Sequence, residues 1–183
     1  SFFTLVSNAH PKILAIKCDA ATKEALVWGF RVGFITYGTY GMTDDVSEAL
    51  EEKTTGALRS SVSSCSRLSQ SLLLDAMKDI SYREDTAAAQ KIIAERYAIV
   101  KRELESRSGR KVLQPYPYNS GYFCTLLCSN DAHQLRRYLL EHHGIGIVAL
   151  GDHLVRIAYA AVDTDRLPEL IDKVYRSAEA LWT

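Results

Sequence analysis

This sequence lacks net charge: its 183 residues carry 22 Lys and Arg against 22 Asp and Glu. A protein that holds a polyanion by releasing counterions needs a surplus of positive charge, so nucleic acid is not the expected partner. Cysteine is scarce. Cys18, Cys65, Cys124 and Cys128 are too few and too scattered for a disulfide-built scaffold, and no CxxC pair occurs. Reduced thiols in the cytoplasm are the expectation. With only four prolines and ten glycines, the chain is neither collagen-like nor low-complexity. No apolar run approaches the roughly 18 residues that cross a bilayer, and no basic region followed by an apolar stretch opens the chain, so a soluble protein without a membrane partner is expected. The nucleotide-loop patterns GxGxxG and GxxxxGK[ST] and the hydrolase elbow GxSxG are also missing. Ser1-Phe2-Phe3 in place of a starting Met suggests a piece cut from something longer.

What is present is an ordinary globular composition, 47% hydrophobic and 24% charged, enough for one large domain or two small ones. Ile13 to Lys17 and Phe30 to Tyr37 are rich in β-branched and aromatic residues and predict buried strands, with Asp19 to Trp28 a polar loop between them. Helical spacing follows over Val46 to Leu58, capped by Thr43 or Asp44, and over Leu68 to Ile80. A long helix is predicted from Asp85, with Ile93, Tyr97, Val100 and Leu104 on one face and Gly109 at its end. Arg102, Arg107, Arg110 and Lys111 near that end suit the negative pole of a helix dipole and need no ligand. Beyond Pro115 and Pro117 strand and helix alternate: strands at Gly121 to Cys128, Ile145 to Leu150 and His153 to Ala160, and a helix at Asp131 to His142. A last helix from Asp165 carries Leu167, Leu170, Ile171, Val174, Ala178 and Leu181 on one stripe. The chain therefore divides into residues 1–84, a connecting helix at 85–111, and a compact α/β unit at 112–183.

Two stretches could carry chemistry. Lys23 lies in the loop ahead of an apolar, glycine-flanked strand, where desolvation would free a neutral amine to condense with an aldehyde; its plainer reading is a solvated surface lysine. Arg31, between Phe30 and Val32, needs an anionic partner, either a structural carboxylate or a ligand phosphate. Gly29 and Gly33 would let the backbone approach whatever Arg31 holds. In His153 to Ala160 a period of two sends Val155, Ile157 and Tyr159 one way and Leu154, Arg156 and Ala158 the other. Arg156 thus emerges among small residues, suited to a substrate carboxylate or to a structural ion pair. Cys124 and Cys128 would share a strand face as core thiols, with no metal ligands at suitable spacing, and no metal site is expected. His142 and His143 close a helix before Gly144 as capping residues.

Lys23, then six residues including Gly29, then Phe30-Arg31-Val32-Gly33, resembles the cofactor-attachment signature of class I and II aminotransferases, the fold type I enzymes that use pyridoxal 5′-phosphate. The resemblance implies that Lys23 forms the Schiff base with the cofactor, that Arg31 contacts its phosphate, and that Arg156 binds the α-carboxylate of the amino acid. Asn119-Ser120-Gly121-Tyr122-Phe123 resembles the turn that opens the small domain, with Asn119 in place of the usual Pro. Ala20 stands where the family has Ser or Gly, and the Ser-rich stretch from Arg59 to Gln70 resembles a segment reaching toward a neighbouring subunit. The resemblance covers nearly the whole chain but only the family's C-terminal half. It implies an α/β fold, the end of the large cofactor-binding domain plus the small C-terminal domain. It also implies amino-group transfer between an amino acid and a 2-oxo acid in a homodimer. Only residues 1–22 precede Lys23, so the family's upstream acidic residue for the pyridine nitrogen has no counterpart, and the fragment by itself is expected to be inactive. A lyase or synthase of the same fold, or a non-catalytic regulatory or dimerising module, would carry the same signature.

Overall fold

The structure is a computed structural model that describes residues 1–183. Its contacts divide the chain into two compact units, Ser1–Thr86 and Ala87–Thr183.

The first unit opens with helix α1 (Phe2–Ser7), where the Ser1 hydroxyl accepts from the Thr4 N–H at 3.3 Å and satisfies one of the unpaired amides of the first turn. Strands β1 (Ala15–Ala20) and β2 (Gly33–Gly38) pair antiparallel from Ala15↔Gly38 to Ala20↔Gly33, and the connection between them holds the single turn α2 (Ala21–Glu24). Helices α3 (Asp44–Ser61) and α4 (Arg67–Lys78) follow. The Ser66 hydroxyl caps α4 by accepting from the Ser69 N–H at 3.3 Å. The core of this unit is small: Ala21, Val32 and Leu73 are buried, with Ala25, Val27 and Phe30 packed around them. No residue of α3 is buried.

Both predicted strands shift toward the C-terminus. Ile13 and Leu14 precede β1, and the predicted polar loop from Asp19 instead contains the end of β1 and the turn α2. Phe30, Arg31 and Val32 lie outside β2, because Val32 and Phe30 bury their apolar side chains against Leu73 from an irregular segment. Apolar character there reflects burial of a loop.

Helix α5 (Tyr82–Glu105) starts three residues before its predicted origin and stops short of Gly109. From Ala87 onward it belongs to the second unit. That unit adds β3 (Leu113–Pro115), β4 (Cys124–Cys128), α6 (Ala132–His143), β5 (Val148–Ala149), β6 (Leu154–Ile157), two 3₁₀ turns and α7 (Leu167–Trp182). The strands form one antiparallel sheet in the order β3-β4-β6-β5. Its strands are shorter than predicted: Gly121 to Phe123 form a turn before β4, and Tyr159 and Ala160 leave β6 for a 3₁₀ turn. The alternation still holds, with Val155, Ile157 and Tyr159 all buried. They share a core with Leu104, Leu126, Leu135, Leu139, Ile171 and Val174. On α7, Leu167, Ile171, Val174 and Ala178 are buried as the stripe predicts, joined by Tyr175, while Leu170 and Leu181 sit half-buried at its margin.

The basic run after α5 is structural. Arg107 donates to Glu103 at 2.8 Å and to Asp172 on α7 at 3.4 Å, and Arg110 reaches Glu179 at 3.3 Å. At the end of α6 the capping residue is Gly144 rather than the histidines. Its φ of 63° is left-handed. The Gly144 and Ile145 amides turn back onto the Leu140 and Leu139 carbonyls at 3.1 and 3.0 Å. His142 packs against the Tyr138 ring at 4.3 Å between centroids.

Candidate functional site

Lys23 and Arg31 occupy the same connection, residues 21–32, between β1 and β2. Its two ends are pinned together by the Ala20↔Gly33 pair and by the Ala21 N–H, which donates to the Val32 carbonyl at 3.1 Å. The amine is thus carried on a helical turn at one end of the connection and the guanidinium on an irregular segment at the other. Lys23 is exposed, so the first unit does not by itself bury the amine. On β1, Lys17 pairs with Asp19 at 2.7 Å.

Arg31 is not a strand residue but holds a φ of 55°, and Leu26 in the same connection holds 57°. Left-handed backbone at a residue other than glycine costs about 1–2 kcal/mol, and such strain concentrates where a side chain is being aimed. Arg31 is exposed and takes part in none of the ion pairs of the chain. The structural carboxylate that would have explained it is therefore not its partner. Gly33 serves the hairpin: a Cβ there would meet the Asp19 carbonyl oxygen at 3.1 Å. Gly29 faces open space.

Arg156 is in the second unit, on β6, opposite Thr125 of β4 and Val148 of β5. It points away from the core, half-buried, with its guanidinium carbon 4.6 Å from the centroid of the Phe123 ring. It too joins no ion pair, so its planar fork faces outward over an aromatic surface, an arrangement that leaves bidentate donors for a carboxylate. The turn before β4 needs Gly121, whose φ is 99°. The Arg59 to Gln70 stretch is exposed apart from Ser69, and Arg59 donates to the Ser63 hydroxyl at 3.4 Å.

Cys124 and Cys128 are buried in the sheet, where desolvation pushes their thiols up to about 12 and about 11 and leaves them inert. Three features are not assigned from the residue pattern: the left-handed φ at Arg31, the aromatic ring beneath Arg156, and Arg96, a half-buried arginine on α5 that meets the segment following β6. Only the Phe adjoining the Gly121 turn hinted at the second.

These elements define a class. A model of the class I and II aminotransferases matches residues 2–174. The chain belongs to this family, and its α/β fold is that of the C-terminal portion of a fold type I enzyme. Among solved structures it is similar to an aminotransferase from Anaerococcus prevotii at a TM-score of 0.74 and 16% identity, covering 92% of this chain and 40% of that one. An α-aminoadipate aminotransferase from Thermus thermophilus gives a TM-score of 0.71 at 18% identity, covering 98% and 45%. A kynurenine aminotransferase from Pyrococcus horikoshii gives 0.72 at 15%, covering 92% and 41%. The chain thus spans less than half the length of the solved structures it matches. No curated protein matches its sequence. No helix is long and apolar enough to cross a membrane.

Proposed function

We propose that this chain is the C-terminal part of a pyridoxal 5′-phosphate-dependent aminotransferase that moves an amino group between an amino acid and a 2-oxo acid in a cytoplasmic homodimer. In this reading residues 1–84 complete the cofactor-binding domain, 85–111 connect it, and 112–183 form the small domain. The observation that carries the proposal is the donor set of the family-matched β1–β2 connection: a primary amine at Lys23, and at Arg31 a guanidinium on strained backbone outside every ion pair. An amine for an aldehyde and an arginine for a phosphate fit this cofactor.

When bound, the cofactor supplies an electron sink for charge developing at the substrate's α-carbon. Lys23 Nζ would be the point of attachment for the cofactor's aldehyde and, as a free amine, would hold and move the proton of the substrate's α-carbon. Arg31 would hold the cofactor's phosphate. Arg156 grips the substrate carboxylate with two parallel N–H donors, orienting the breaking bond. In the full-length gene product, borohydride reduction in the presence of pyridoxal phosphate should label Lys23, and Lys23→Ala should abolish both the label and amino-group exchange. Label spread over other lysines, or undiminished in the variant, would refute the assignment. Amino-acid and keto-acid pairs, assayed on the same protein, separate transfer from lyase or synthase chemistry.

A further inference from the structure

The Phe123 ring that underlies Arg156 belongs to the turn before β4, so the ring is only as well placed as that turn. Two hydrogen bonds tie the turn to the segment after β6. The Tyr159 hydroxyl donates to the Gly121 carbonyl at 2.7 Å, and the Ala160 N–H donates to the Tyr122 carbonyl at 3.3 Å. The Ala160 carbonyl in turn accepts from Arg96 Nη1 of α5.

Arg96 is placed for little else. Its side chain is 20% exposed, and its nearest carboxylate, Asp163, lies 4.0 Å away and is 78% exposed. An exposed carboxylate at that distance contributes little. Arg96 Nε is buried and without a partner. A guanidinium mostly withdrawn from water is costly unless hydrogen-bonded, and here the chief acceptor is a backbone carbonyl in the turn that carries Tyr159 and Ala160.

We propose that Arg96 is a positioning residue for Arg156: it clamps the 159–163 turn, which through Gly121 and Tyr122 holds the Phe123 ring beneath the Arg156 guanidinium. The functional meaning rests on Arg156 as the carboxylate-binding group; the clamp itself does not.

The test uses the whole chain, ¹⁵N-labelled, with the Arg156 side-chain signal assigned by its loss in Arg156→Lys. The Phe123 ring current should shift the Arg156 Nε–H signal upfield. Arg96→Met should abolish that shift and accelerate exchange of the Ala160 amide roughly tenfold, the loss expected for one charge-assisted hydrogen bond. Arg96→Lys, which keeps a donor, should restore much of both. Tyr159→Phe removes only the Gly121 tether and should weaken the shift with the Arg96 charge intact, so it decides the matter if Arg96→Met does not fold. An unchanged Arg156 signal in whichever of these two variants folds overturns the proposal. Acetate serves as the carboxylate probe: its failure to move the Arg156 signal in the unaltered chain counts against Arg156 as a carboxylate site, while the ring-current result judges the clamp.

Discussion

Leu126 is the place to test where this chain keeps its stability. It is fully buried at the centre of β4, paired to Pro115 on β3 and Val155 on β6. Leu126→Ala deletes three carbons from a site with no exposure, a transfer loss of about 2.4 kcal/mol at roughly 0.8 kcal/mol per methylene. The residual cavity raises this to about 3–5 kcal/mol, because the flanking strands restrict collapse. For a unit of this size each kcal/mol lowers the melting point by about 4–8 °C, so a fall of at least about 10 °C is expected. The chain has two tryptophans. Trp182 on α7 donates to Gln134 of α6 at 3.1 Å and reports on the second unit, whereas Trp28 is 77% exposed. In a Trp28→Phe background, urea unfolding followed by Trp182 fluorescence isolates the effect. Leu140→Ala is the control: at 52% exposure on α6, in the same unit as Trp182, it should cost no more than about 1 kcal/mol. A loss below about 1 kcal/mol for Leu126→Ala, or an equal loss for both, would refute the assignment of the core.

Tyr175→Phe should cost about 1 kcal/mol in the same assay, since the hydroxyl donates to the buried Leu113 carbonyl at 3.2 Å and leaves it unpaired when removed. Gly144→Ala should cost about 1–2 kcal/mol, because its φ of 63° forces an L side chain into left-handed backbone; thermal melts by circular dichroism check it. Burial raises Cys124 to about 12, Cys128 to about 11 and Tyr159 to about 12. The folded state therefore keeps protons that the unfolded chain gives up, so stability is full below about pH 9 and falls as pH rises toward about 12; urea midpoints across that window should decline. A thiol reagent at mildly alkaline pH should modify Cys18 and Cys65 in the native protein, and Cys124 and Cys128 only after unfolding.

Legibility followed period. The α7 stripe and the β6 alternation were readable because each buries a continuous face, and a continuous face imposes its repeat on the residues that make it. The hairpin was less readable. The run Ile13-Leu14-Ala15-Ile16 has no internal mark for where pairing starts, and Phe30 and Val32 are apolar because a loop packs on Leu73. The site residues divide in the same way. Lys23 and Arg31 are candidates from a spacing, and Arg156 from its place in an alternating strand. The φ at Arg31 is a property of tertiary structure that its residue type does not signal, since left-handed backbone is uncommon for any residue but glycine. Arg96 carries no sequence signal of its own, and only the carbonyl it meets distinguishes it.

A single composition also concealed two unlike units. The second buries Val100, Leu104, Leu126, Leu135, Ile171 and Tyr175 in one cluster, while the first gathers only Ala21, Val32 and Leu73 into a buried cluster and leaves Phe2, Leu5, Trp28 and Ile80 largely exposed. The proposed carboxylate-binding arginine therefore stands on a strand fixed by a full core. The amine and the arginine proposed for the phosphate stand on a connection whose support is Ala21, Val32 and Leu73, within a two-stranded sheet of a kind that is marginal by itself. Local opening costs least where few apolar contacts are made, so amides of residues 21–32 should exchange well before those of β4 and β6. If the two sets exchanged together, the contrast in core size would not govern how firmly the chemistry-bearing residues are held.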